Sequence, residues 1–263
     1  MASSPTAYDK LFDMHGKVVL AAGGSGAIGA EMARVLAHYG ARVAIAGISL
    51  ESCLQTAAEL TAAGTETLAI GLDVQDEVSV KSAVAEVEAQ LGPVDVLVNA
   101  VGTHIEQPAQ NVTMEAWDTV LDVNLRGAFL LSQAVANVQL AHGRGGSHIH
   151  VTSVRSGLGI RRGYAAYCAS KGGLAVLIKQ LATEWARFGI RVNGIAPTFT
   201  RTPLVQDYLN DPQFYQSLVN RIPMGRVCEI SDLAGIALFL ASDASNFITG
   251  QNIYVDGGVT ASQ

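Results

Sequence analysis

Seven short apolar runs, at residues 17–22, 42–46, 67–72, 94–99, 147–153, 191–195 and 251–255, alternate with stretches of helical apolar spacing. Within each run apolar residues follow one another instead of alternating with polar ones, so each strand must bury both of its faces. A parallel sheet covered by helices on either side meets that demand, and right-handed crossovers between its strands give a doubly wound α/β (Rossmann-type) fold. A composition of 49% hydrophobic residues, 15% charged residues and 27 glycines suits a large two-sided core with many tight strand-to-helix turns. No charged or Pro/Ser-rich linker interrupts the chain, so a single domain over residues 1–263 is expected, with 1–15 as an N-terminal extension. Sheets of this kind bind ligands at the carboxyl ends of their strands, which directs the search to the residues just after each run.

Bulk properties narrow the function. A formal charge of −6 offers no long-range attraction to phosphate backbones or anionic membranes, so neither nucleic acid nor membrane is an expected partner. Cys53, Cys168 and Cys228 are odd in number and far apart, a poor disulfide framework with no Cys-x-x-Cys unit, which fits a reducing compartment. The first residues lack a basic segment followed by an apolar core, and no apolar stretch is long enough to span a bilayer, so the expected location is cytoplasmic. Asn111-Val112-Thr113 has the spacing of a glycosylation acceptor but is read as incidental.

After the first run comes Gly23-Gly24-Ser25-Gly26-Ala27-Ile28-Gly29, followed by helical spacing. Glycines in such a turn let the backbone approach a pyrophosphate, and the free amides and positive end of the helix stabilise its charge. Residues 24–29 fit the Gly-x-Gly-x-x-Gly spacing, and their place between first strand and first helix favours dinucleotide binding. The second run ends Ala46-Gly47-Ile48-Ser49, with neither the acid that would hold a ribose 2′-hydroxyl nor an arginine for a 2′-phosphate. The cofactor is therefore read as NAD or NADP, leaning to NAD. Asp73-Val74, after the third run, either closes the adenine pocket or lets Asp73 N-cap the next helix.

Tyr167 and Lys171 lie four apart at the start of a long apolar-periodic helix and so share one face. A free phenol titrates near pH 10 and needs a neighbouring cation before it can exchange protons near neutrality. Ser153, at the end of the fifth run, can face that phenol across the cleft and orient a substrate oxygen.

With these residues in view, the chain resembles the short-chain dehydrogenase/reductase family over nearly its whole length. The resemblance rests on the glycine turn, Asp73-Val74, the run from Asp95 to Gly102, Val123-Asn124, Ser153, Tyr167 with Lys171, Arg191-Val192-Asn193 with Ala196-Pro197, and Thr249-Gly250-Gln251 with Val255-Asp256-Gly257-Gly258. It implies a catalytic tetrad of Asn124, Ser153, Tyr167 and Lys171. In that tetrad Ser153 holds the substrate oxygen and Tyr167 is the general acid/base; Lys171 binds the nicotinamide ribose and lowers the Tyr167 pKa, while the Asn124 backbone positions a water. It further implies a cofactor cradle of Gly23, Ser25, Gly26, Ile28, Gly29, Asp73, Val74, Asn99, Gly102, Pro197 and Thr202, together with Tyr167 and Lys171, and a homotetramer. The sequence departs from the family at Ala22 for threonine, at Ala27 for the middle glycine, at Ala100 for a second asparagine, and at Thr198 for the glycine after Pro197. Ala27 would crowd the cofactor unless Gly26 provides the close approach, and Thr198 requires a turn without positive φ.

Substrate selectivity is expected from the loops after Gly102 and Ser153 and from Thr202–Ile222, long enough for a helical lid. Arg155, Arg161 and Arg162 either hold a carboxylate, sulfonate or phosphate or form a solvated or subunit-contact cluster. His104 and Glu106 are placed to bind hydroxyls at the mouth of the site. Among family subgroups, Ser153–Pro203 is most similar to sugar-acid and polyol dehydrogenases of the gluconate 5-dehydrogenase type. His148 and His150 share a strand face but lack a third ligand, so no metal is expected, and His150 should lie under a covering helix. The leading expectation is an NAD(P)-dependent alcohol/ketone oxidoreductase on a small-molecule polyol, sugar or hydroxy acid. A 3-oxoacyl thioester reductase is the nearest rival. A non-catalytic dinucleotide-binding regulatory or scaffold protein, suggested by Ala22, Ala27 and Ala100, is the rival of another class.

Overall fold

The computed structural model describes residues 8–262. Its strands are β1 (Val18–Ala22), β2 (Arg42–Gly47), β3 (Thr67–Gly71), β4 (Val96–Asn99), β5 (Gly146–Val151), β6 (Ile190–Pro197) and β7 (Asn252–Val255). All pair in parallel, in the order β3-β2-β1-β4-β5-β6-β7. The helices between them are α1 (Ala27–His38), α2 (Leu50–Ala62), α3 (Glu77–Leu91), α4 (Met114–Leu121), α5 (Gly127–Ala141), α6 (Ala165–Trp185), α7 (Gln206–Asn210), α8 (Pro212–Val219) and α9 (Ala234–Ala241). Strand order reverses between β1 and β4, which opens a crevice at their carboxyl ends.

The two faces of the sheet are filled by successive residues of the same strands. Val19, Ala21, Val43, Ile45, Val96 and Val98 pack with α1, α2 and α9 on one side. Val18, Leu20, Ala44, Ala46 and Leu97 pack with α3 and α5 on the other. This two-sided burial is what the uninterrupted apolar runs require. α5 and α6 share a further cluster that includes Ala136, Leu174, Ile178 and Val192. The segment 202–222 carries α7 and α8 and has a small core of its own, built on Leu209, Leu218, Ile222 and Val227.

Several expected boundaries shift. β5 ends at Val151, and Ser153 lies two residues beyond it, where its hydroxyl accepts the Arg155 amide and starts a single 3-10 turn. β6 is longer than its apolar run because the ladder with β7 continues to Pro197 beside Val255. α6 begins two residues before Tyr167. Of the expected N-terminal extension, residues 1–7 lie outside the described residues, whereas Met14 is fully buried in the core and belongs to the domain body. Thr113, from the glycosylation-like triplet, N-caps α4 by accepting the Ala116 amide.

Candidate active site

The β1–α1 turn is held tightly against the end of β4. Gly23 has φ 72°, and a Cβ there would stand 2.9 Å from the Ala100 carbonyl carbon. A Cβ at Gly24 would come 2.7 Å from the Ala21 carbonyl oxygen, and one at Gly29 would overlap the Gly23 carbonyl. Gly26 is less crowded: its Cβ would meet only the Gly23 oxygen, in a tight contact of 3.3 Å. Gly26 is also the N-cap of α1, with no side-chain cap and no acid in the first turn, whereas α2, α3 and α4 are capped by Ser49, Asp76 and Thr113. The α1 amides therefore keep their hydrogen-bonding capacity and partial positive charge for an anion, and the turn fits a dinucleotide pyrophosphate. Ala27 is the first helical residue and Ala22 is buried in β1, where its carbonyl accepts the Ala100 amide at 2.9 Å.

Around this turn the expected cofactor residues occupy different situations. Ser25 lies beside Gly47, whose Cβ would stand 3.4 Å from the serine hydroxyl and 3.3 Å from the Cys53 sulfur. Ile48 is 79% exposed at the end of β2. Asp73 does not N-cap α3; Asp76 does, and Asp73 instead accepts the Gln75 amide at 2.9 Å. Val74 is buried against Gly127. The Asn99 side chain is taken up internally, its oxygen accepting the Val101 amide and its nitrogen 3.2 Å from His150 Nδ1. Ile28 packs partly buried against the core, Pro197 is buried at the end of β6, and Thr198 avoids positive φ as expected. Thr202 precedes the first turn of segment 202–222, and its side chain caps nothing there.

Tyr167 and Lys171 stand on one face of α6, with the Lys171 ammonium 5.8 Å from the centre of the Tyr167 ring. Lys171 Nζ donates to the Val151 carbonyl at 2.9 Å, and burial pulls its pKa down to about 8. A Cβ on Gly102 would sit 3.4 Å from that nitrogen, so the glycine keeps one side of the ammonium clear. Burial pushes the Tyr167 phenol up, and the nearby Ser153 hydroxyl pulls it back. Because Ser153 accepts the Arg155 amide, its own O–H remains free to donate.

Asn124 lies in a π-helical turn, Asp122–Arg126, inserted between α4 and α5. Its side chain accepts the Thr103 amide at 2.7 Å and donates to the Thr103 carbonyl at 2.8 Å and to Ser170 Oγ at 3.0 Å. Ser170 in turn donates to the Tyr167 carbonyl. This chain ties the loop after β4 to the Tyr167 helix and occupies both N–H donors of the Asn124 side chain. Thr103, Ser170 and the Val151 carbonyl had no signal in the sequence.

Residues 22–260 match the family model described as Enoyl-(Acyl carrier protein) reductase. Gluconate 5-dehydrogenase of Gluconobacter oxydans is 36% identical over 252 residues, 96% of this chain and 98% of the relative. D-threitol dehydrogenase of Mycolicibacterium smegmatis is 37% identical over 249 residues, covering 95% of each chain. A crystal structure of a gluconate 5-dehydrogenase from Burkholderia cenocepacia, in complex with NADP and tartrate, superposes with a TM-score of 0.92 at 36% identity, over 97% of this chain and 99% of that one. The chain belongs to the short-chain dehydrogenase/reductase family. As a member of it, the protein is an NAD(P)-dependent oxidoreductase.

At the mouth of this short-chain dehydrogenase/reductase site, His104 packs edge-on to Tyr164 and Tyr167, with ring centres 5.3 and 6.1 Å apart. Glu106 and Arg162, singled out separately in the sequence, neutralise one another through bonds of 2.7 and 3.0 Å. Arg162 also lies 5.7 Å from the Tyr164 ring centre and 5.5 Å from that of Tyr208 on α7. Arg161 is exposed. Arg155 is half-buried, donates to the Gly159 carbonyl at 2.8 Å, and lies within electrostatic reach of Tyr167, Tyr164 and Cys168. His148 and His150 are fully buried in β5, and burial drives the pKa of each down to about 3. His150 bridges Asn99 and Ser132 of α5, the covering helix expected above it, and His148 Nε2 meets Gln139 of the same helix. No His/Cys/Asp/Glu group suited to a metal occurs among the described residues.

Proposed function

We propose that the protein interconverts an alcohol and a ketone on a small polar polyol, sugar or hydroxy-acid substrate, with Tyr167 as general acid/base. The convergence of Tyr167, Ser153 and Lys171 beside the uncapped start of α1 carries this reading. Bound NAD or NADP supplies or accepts the hydride. In the oxidising direction Ser153 donates a hydrogen bond to the substrate oxygen and Tyr167 takes its proton. Lys171, charged below its lowered pKa, stabilises the phenolate and holds the nicotinamide ribose from the side that Gly102 leaves clear. Asn124 fixes the loop after β4 and presents its backbone to a relay water. The remaining cradle is Gly23, Ser25, Gly26, Ile28, Gly29, Asp73, Val74, Asn99, Pro197 and Thr202.

Coenzyme choice turns on the end of β2. Ile48 offers no cation to a 2′-phosphate, which underlies the lean to NAD, but Gly47 also omits the acid that would repel NADP, and the Burkholderia relative carries NADP. Segment 202–222 acts as the substrate lid. The working form is a cytoplasmic homotetramer, and the partner is a small molecule. No helix of the described residues is long and apolar enough to cross a membrane.

Purified protein incubated with either coenzyme and a panel of polyols, sugar acids and an acetoacetyl thioester tests the reading through the change in coenzyme absorbance. Turnover of a polyol or sugar acid is expected. Turnover of the thioester alone would shift the assignment to the 3-oxoacyl reductase. Dinucleotide binding without any turnover would support the regulatory or scaffold role.

A further inference from the structure

Three consecutive residues at the end of β5 have separate duties. The Val151 carbonyl receives the Lys171 ammonium at 2.9 Å, Thr152 is buried, and Ser153 carries the hydroxyl assigned above to the substrate oxygen. The chain then makes its single 3-10 turn, Val154–Ser156. The Ser153 carbonyl accepts the Ser156 amide at 2.9 Å and the Ser156 hydroxyl at 2.7 Å, while Ser153 Oγ accepts the Arg155 amide at 3.1 Å. Backbone and side chain of Ser153 are aimed by one turn, so whatever fixes Ser156 also fixes Ser153.

Asn252 fixes it from β7, two strands away in the sheet. It pairs with Gly194 of β6, which pairs on its other side with His150 of β5. A Cβ on Gly194 would stand 2.5 Å from Asn252 Oδ1, so the bare backbone of β6 opens the passage by which the amide reaches the end of β5. There Asn252 Nδ2 donates to Ser156 Oγ at 3.0 Å, and Oδ1 accepts the Thr152 hydroxyl at 2.6 Å. One planar amide thus holds residues on both sides of Ser153, from 96 and 100 positions away in the chain. With its oxygen and one N–H both engaged, that amide has a defined orientation. Tyr254, two residues on and on the same face of β7, closes against the end of the turn: a Cβ on Gly157 would stand 2.8 Å from its hydroxyl. The β1–α1 turn, which packs on the end of β4, takes no part.

We propose that Asn252 is a positioning residue for the proton transfer, a strut that acts through Thr152 and Ser156 to set the direction of the Ser153 hydroxyl. This rests on the alcohol/ketone reading above, in which Ser153 orients the substrate oxygen. The last strand of the sheet thereby serves the reaction without touching substrate or coenzyme, and Gly194 is the position on β6 that lets it do so.

D-threitol and D-gluconate, each with saturating coenzyme, are the probes. Asn252→Ala should lower kcat about 10-fold with coenzyme Kd unchanged, because displacing a group at the reacting atoms acts on rate more than on binding. Ser156→Ala, which removes a single oxygen and carries the same test should Asn252→Ala not fold, should act alike. The double variant should lose no more than either single one, since both cut one chain. Once Ser153 is no longer aimed, its hydroxyl ceases to hold the Tyr167 phenol down, so the limb of kcat/KM that rises with pH should move to higher pH. The other groups facing that phenol, Lys171, His104, Tyr164, Cys168 and Arg155, are unaltered in these variants. Amide exchange of residues 153–157, followed by mass spectrometry, reads the strut without any substrate and should be faster in both single variants; the urea midpoint checks that each is folded. Losses that multiply in the double variant, a lowered kcat with an unmoved pH limb, or unchanged exchange in a folded variant would each overturn the proposal. Full turnover by Ser153→Ala would overturn the reading beneath it. A wild type inert on both probes would overturn that reading on polyols, while faster exchange would still sustain the strut.

Discussion

At the scale of single residues, the chemistry depends on environments that spacing cannot convey. Tyr167→Phe keeps the ring and removes the transferable proton, so turnover should fall at least ~100-fold with coenzyme Kd nearly unchanged, as measured by fluorescence titration beside steady-state rates. Retained turnover would remove Tyr167 from its role. Gly47→Asp places a carboxylate at the end of β2, close to the Ser25 hydroxyl, and should weaken NADP binding by 10-fold or more relative to NAD. Equal loss of both coenzymes would mean that the new side chain had only disturbed Cys53 and Ser25. The pairing of Tyr167 with Lys171 was legible from the sequence because an interval of four fixes a shared helix face. The fate of Glu106 and Arg162 was not, since two residues 56 apart meet only when their loops are folded side by side.

At the scale of elements, the β1–α1 turn and the π-turn around Asn124 position the site. A methyl at Gly29 would overlap the Gly23 carbonyl, so Gly29→Ala should force the turn open, lower the urea midpoint and weaken both coenzymes by more than 10-fold. Gly26→Ala meets far less resistance from the protein, and should cost coenzyme affinity with little loss of stability. Asn124→Ala removes three hydrogen bonds that clasp Thr103 and Ser170, which should destabilise the fold by about 2–3 kcal/mol and lower kcat by shifting the Tyr167 helix. An unchanged urea midpoint would show that water replaces the clasp. Helix starts were partly readable, as the Asp73 alternative illustrates. Either Asp73 or Asp76 could have capped α3 by composition, and only the path of the chain after β3 gave the cap to Asp76.

At the scale of the whole molecule, buried histidines link the sheet to acid stability. His148 and His150 titrate at about 3 in the folded protein and near 6.5 when unfolded. Between those values the unfolded chain binds more protons, so stability is fully present above the unfolded pKa and is lost as pH falls toward the folded one. With both residues acting, the loss approaches about 2.7 kcal/mol per pH unit in the middle of that window. Urea denaturation at a series of pH values from 7.5 downward, as an experimental range on the order of three units, should show this slope reduced in a His148→Gln, His150→Gln double variant. An equal slope in both proteins would assign the acid sensitivity to carboxylates instead.

The sequence by itself determined the two-sided burial of the strands, the glycine turn after β1 and the shared helix face of Tyr167 and Lys171, because each follows from a local period or spacing. The tertiary structure decided what crosses from one strand end to another. It gave Lys171 its carbonyl partner on β5 and committed Asn99 and Asn124 to internal bonds. It also cancelled the charge of Arg162 against Glu106. Those outcomes depend on which loops the crossovers bring to the same end of the sheet, and on how much water remains there to screen the charges that meet.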